Sequence, residues 1–85
     1  MGVLYHDKQI YVADTYNSKI KVVDPLSGIV KTLAGDGKQG KQDSPAQFDE
    51  PAGLTFAAGT LYVADTNNHL VRTIDLKTNR VGTFE

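Results

Sequence analysis

The chain has 85 residues with no cysteine, and ten acidic against nine basic side chains give a formal net charge of −1. That length allows one modest core, the composition excludes disulfides and thiolate metal sites, and no basic excess is present to drive nucleic-acid binding. No apolar run reaches the about 18 residues of a membrane span and no signal peptide is read at the start, so a soluble, cytoplasmic chain without membrane partners is expected. In chain order, β-branched and aromatic runs predict strands near Val3–His6, Gln9–Ala13, Lys19–Val23 and Ile29–Leu33. After a joining segment they recur near Leu54–Phe56, Thr60–Ala64, Leu70–Ile74 and Arg80–Phe84. The stretches Asp24–Gly28 and Asp75–Asn79 predict reverse turns, opened by the structural residues Asp24 and Asp75.

The two sets are copies. "IYVADTYNSKIKVVD" (residues 10–24) and "LYVADTNNHLVRTID" (residues 61–75) align with Asp14 on Asp65, Asn17 on Asn68 and Asp24 on Asp75. The expected organisation is one repeat over residues 1–33, a joining loop over 34–52 and a second repeat over 53–85. No segment has a sustained helical period, so the fold class is all-β: two four-stranded antiparallel meanders. In "QIYVAD" both faces are apolar, Ile10 and Val12 on one side and Tyr11 and Ala13 on the other. Strands buried on both faces belong to stacked sheets, and four-stranded sheets stacked around an axis are propeller blades. Two blades alone leave apolar faces in water, so self-assembly is expected, with Ile10, Val12, Leu61 and Val63 at the interface between chains.

The joining loop holds a G-x-G-x-x-G (Gly35, Gly37, Gly40) and a G-x-x-x-x-G-K (Gly35, Gly40, Lys41). Neither has its context: no helix opens after the glycines, Gln42 stands where magnesium binding needs Ser or Thr, and Pro45 follows closely. The glycines are read instead as positive-φ positions in a long loop. Ser44–Gln47 is expected to form a capped turn, Phe48 to fold back as a plug, and Pro51 to lead into the next strand.

In an up-and-down blade, the loops Asp14–Ser18 and Asp65–His69 emerge on the same face as the joining loop, and loops on a rigid scaffold carry function. Tyr16, Asn17, Asn67, Asn68, His69 and Arg72 are the candidate binding residues there. Asp14 and Asp65 could serve metal binding or acid–base chemistry, but recurrence in both copies favours an Asx-type turn in which each carboxylate takes N–H groups of its own loop. Asn17 and Asn68 are read as left-handed turn formers. His69 is a single imidazole without a second His nearby, so no metal site and no cofactor are assigned. The joining loop sets four acids against two lysines, which disfavours RNA.

The stretches "YVADTYNSKIKVVD" and "YVADTNNHLVRTID", the latter carrying Asn-His-Leu in "NNHL", resemble NHL repeats over essentially the whole chain. The frame "TLAGDGKQG…FDEPAGL" is similar to the NHL propeller of proteins that also carry a thioredoxin-like domain. In the first copy Ser18 and Lys19 replace the His and the residue after it. No thioredoxin-like segment or cysteine is present, so no redox chemistry carries over. The resemblance implies a six-bladed propeller, used by this family mostly as a binding platform; some members bind protein, some bind RNA through a basic face, and a few distant relatives are metal-dependent enzymes. The expectation is a non-enzymatic two-blade fragment, natural or engineered, that self-assembles as a homotrimer into a six-bladed scaffold or protein-interaction platform. The alternatives are a metal-dependent propeller enzyme, disfavoured because the innermost strands offer only His6, and an RNA-binding NHL domain.

Overall fold

A computed structural model describes residues 2–40, 42–43 and 46–84. Eight strands form in chain order: β1 (Gly2–His6), β2 (Gln9–Asp14), β3 (Lys19–Val23), β4 (Val30–Ala34), β5 (Pro51–Ala57), β6 (Thr60–Asp65), β7 (Leu70–Asp75) and β8 (Arg80–Phe84). They make two four-stranded sheets in the order β1-β2-β3-β4 and β5-β6-β7-β8, every neighbour antiparallel. Tight turns fix the registers. Asp24 and Asp75 accept the Leu26 and Lys77 N–H groups at 2.9 Å each, so the β3–β4 and β7–β8 connections start alike.

The core lies between the sheets. From the first sheet come Tyr11, Ala13, Ile20 and Ala34; from the second come Leu61, Val63 and Ile74; Phe48 is added by the joining loop. Side chains alternate along a strand, so Tyr11 and Ala13 share one face of β2 while Leu61, Val63 and Asp65 share one face of β6. Tyr62 and Ala64 are the repeat counterparts of Tyr11 and Ala13, and Ile10 and Val12 those of Leu61 and Val63. The first sheet therefore packs one of its faces on the opposite face of its copy. This corrects the expected role of Leu61 and Val63: both are fully buried within the chain and unavailable to another chain. Ile10 and Val12 lie on the open face of the first sheet, where Val3 and Tyr5 are 65% and 64% exposed.

The sheets are not parallel plates. They meet along β1 and β5, where His6 stacks on Phe56 at 3.6 Å and a Cβ at Gly2 would collide with the Ala52 carbonyl. Toward the outer strands they part, leaving an open groove of about 680 Å³ lined by Leu33, Gly35, Asp36, Asn79 and Arg80 among others. The pair is a wedge with its edge on the first strand of each sheet.

In the joining loop Gly35 and Gly37 take φ of 103° and 88°, as a glycine loop would. Phe48 is fully buried, and Asp43 and Ala46 form an antiparallel bridge. The capped turn expected at Ser44 and Pro45, and Lys41 of the second glycine motif, lie outside the described residues.

Candidate functional site

The corner between the second and third strands of each sheet is built identically. After β2, Thr15–Asn17 make one 3-10 turn and Ser18 closes it at φ 56°; after β6, Thr66–Asn68 do the same and His69 closes it at φ 56°. The left-handed residue is thus the one after each asparagine, not Asn17 or Asn68. The asparagine side chains are engaged elsewhere, each Nδ2 donating to the aspartate that opens the corner: Asn17 to Asp14 Oδ2 at 2.9 Å, Asn68 to Asp65 Oδ2 at 2.8 Å. Neither aspartate caps its own turn, which corrects the Asx reading. Each is instead bound by a basic side chain arriving from the next strand. The result is an Asp–Asn–base triad in each copy: Asp14, Asn17 and Lys21; Asp65, Asn68 and Arg72.

In the second triad Asp65 and Arg72 are fully buried and Asn68 half-buried, and the joining loop covers them. Arg72 Nη1 donates to Asp65 Oδ2 at 2.9 Å and to the Gln47 carbonyl at 2.6 Å. Its Nη2 donates to the Gln42 carbonyl at 2.8 Å and to Asp43 Oδ1 at 2.6 Å. The Phe48 ring lies 5.0 Å from the guanidinium carbon. Asp65 Oδ1 accepts the Asp49 N–H at 2.7 Å, and Asn68 Nδ2 also donates to the Gly40 carbonyl at 2.7 Å. Among the buried side-chain nitrogens and oxygens of the described residues, only Arg72 Nε lacks a partner. Arg72 was expected on an exposed binding face; it has no exposure at all, because a planar fork of donors is what can gather two carbonyls and two carboxylates at one point.

The first triad has the same inner geometry and a different setting. Lys21 Nζ lies 2.7 Å from Asp14 Oδ2, and these side chains keep 30% and 15% exposure where Arg72 and Asp65 have none. The Lys21 contact, aided by the Asn17 amide, holds the Asp14 carboxyl below its ordinary value. Thr15 Oγ1 donates to the Pro51 carbonyl at 2.9 Å, tying the first corner to the start of β5.

Of the remaining candidates, Tyr16 on the first corner is 92% exposed, and Asn67 and His69 on the second are exposed as well. Asn67 is partly committed: its N–H and Nδ2 donate to the carbonyl and Oδ1 of Asp49 at 3.1 and 3.3 Å. Among the described residues no three His, Asp or Glu side chains gather as metal ligands. The geometry fastens corners and loops together. Sequence reasoning singled out the aspartates and asparagines through their recurrence but missed the triads. The available signal was a basic residue seven positions after each aspartate, Lys21 and Arg72.

Residues 48–74, from the buried phenylalanine to Ile74 on the strand of Arg72, match the NHL repeat family. The chain is 54% identical over 81 residues, 89% of its length, to Protein SUPPRESSOR OF QUENCHING 1, chloroplastic, of Arabidopsis thaliana. It is 45% identical to NHL repeat-containing protein 2 of Homo sapiens over 90 residues and of Bos taurus over 92 residues, 96% and 99% of its length. It spans only 8% of the first of these proteins, 12% of the human one and 13% of the bovine one. The chain is thus homologous to short stretches of these much longer proteins, and it carries an NHL repeat at residues 48–74 whose sequence recurs in its own first half.

Proposed function

We propose that the chain is a non-enzymatic pair of propeller blades that assembles head to tail, three chains closing a six-bladed ring that serves as a scaffold or protein-interaction platform. One observation carries this reading. The contact inside the chain joins opposite faces of two equivalent sheets, so the faces left open, Ile10 and Val12 at one end and Tyr62 and Ala64 at the other, are repeat counterparts of the two faces already packed. A contact of this heterologous kind repeats from chain to chain, closing a ring where its rotation allows and extending as a filament where it does not. The wedge shape favours closure over an open stack, and the count of six comes from the NHL resemblance. The joining segment "TLAGDGKQG…FDEPAGL" supports the narrower reading that these blades derive from a propeller carried beside a thioredoxin-like domain.

The test is absolute molar mass by light scattering on a sizing column. Three chains of 9.2 kDa each are expected. A folded species at the mass of one chain overturns the assembly.

A further inference from the structure

The second triad acquires its cover from a segment that precedes its sheet, and the first triad faces the same kind of space without one. In the second, Gly40, Gln42, Asp43, Gln47, Phe48 and Asp49 supply three carbonyls, a carboxylate, an N–H and an aromatic ring to Asp65, Asn68 and Arg72. In the first, Asp14 Oδ2 is engaged by Asn17 and Lys21, while among the described residues Asp14 Oδ1 accepts no hydrogen bond. An ammonium has three donors, so Lys21 keeps donors beyond the one spent on Asp14.

We propose that Asp14, Asn17 and Lys21 form a socket for an inter-blade segment with the chemistry of residues 40–49: carbonyls and a carboxylate for the cation, a main-chain N–H for Asp14, and an aromatic ring laid on the sheet beside them. The inference rests on reading the open face of the first sheet as a blade-packing face. Its occupant is the segment that follows the outermost strand of a neighbouring blade, as Gly40, Gln42, Asp43, Gln47, Phe48 and Asp49 follow β4 and cover the second triad. Lys21 makes this socket weaker than its copy, because a point charge cannot grip two carbonyls and a carboxylate as a planar fork does. The second socket holds a loop already tethered to it, whereas the first must capture one from outside the pair.

The test is a titration of a synthetic peptide of residues 35–50 into the intact chain, followed through the backbone amide resonances of Asp14, Asn17 and Lys21. Saturable shifts at these three amides are expected. Lys21→Arg tightens the binding, and Lys21→Ala weakens it by about tenfold or more through loss of charge-assisted hydrogen bonds. A peptide carrying Asp43→Ala and Phe48→Ala loses the binding without altering the chain, which keeps the test clear of any folding defect. No shift at the three amides, or binding indifferent to Lys21→Ala and to the altered peptide, overturns the socket. Molar mass measured on the same samples separates the two readings: a ring that ignores the peptide overturns the socket alone, and a monomer that binds it overturns the ring alone.

Discussion

Arg72 ties its strand both to the Asp65 corner and to a joining loop 25 to 30 positions away, so its removal is the sharpest single change available. Replacing it with methionine keeps the bulk but leaves Asp65 fully buried with its charge unpaired. Breaking a buried pair from one side costs about 3–5 kcal/mol, against a total stability for a domain this size of about 4–13 kcal/mol. The Arg72→Met chain should lose that amount in urea unfolding, and adding Asp65→Leu should recover part of it; full stability in the single variant would deny the pair its role. The first triad predicts a pH effect of known sign. Because Lys21 holds Asp14 below its ordinary 3.8, its contribution is present above that value and is lost as pH falls through the lower folded value. A carboxyl-carbon NMR titration should place the Asp14 midpoint below 3.8, and Lys21→Ala should move it upward. The aspartates were legible in the sequence because they recur. Their basic partners recur seven positions on and went unread, while the cover over Arg72 was not legible: Arg72 meets Asp43 across 29 positions, and its burial leaves no mark in a linear pattern.

The strands were the most legible elements. Alternation and β-branched content placed all eight to within a few residues, because each strand's pattern is set by its own two faces. The joining loop was harder. Positive φ was legible at Gly35 and Gly37 but does not hold at Gly40, and the loop is shaped by what it covers, with Asp36 N–H bonded to Ala46 O at 3.0 Å and Gly40 N–H to Phe48 O at 3.2 Å. Gly35 shows why a side chain is excluded there. It sits at φ 103°, and a Cβ would lie 2.6 Å from the Ser18 carbonyl of the neighbouring corner. Gly28, at φ 77° in the β3–β4 turn, has nothing within 4 Å. Gly35→Ala should therefore destabilise the chain by about 1–3 kcal/mol, combining backbone strain with displacement of the corner. Gly28→Ala should cost less, since only its backbone conformation is penalised. Thermal unfolding of the two variants side by side checks the order, and equal losses would show that the approach of Gly35 to Ser18 does not matter.

At the scale of the whole molecule, the two faces of one repeated sheet carry different fates, and a matched pair of substitutions separates them. Val12 and Val63 are repeat counterparts, yet Val63 is fully buried between the sheets while Val12 is only partly covered, on the open face of the first. The sequence showed both as equivalent apolar positions; which one is covered within the chain depends on which sheet follows which, and a repeat alone does not encode that. Aspartate at Val63 puts an unpaired charge into the core cluster of a small chain, a penalty of the same order as its whole stability. Aspartate at Val12 leaves that contact intact and charges the face where a neighbouring chain would sit. Val63→Asp should lose its cooperative unfolding transition and its amide dispersion. Val12→Asp should stay folded, with a molar mass that falls to one chain. A Val12→Asp variant that keeps the mass of the unaltered assembly would show that chains meet through some other surface. A Val63→Asp variant that folds normally would place the core elsewhere than between these two sheets.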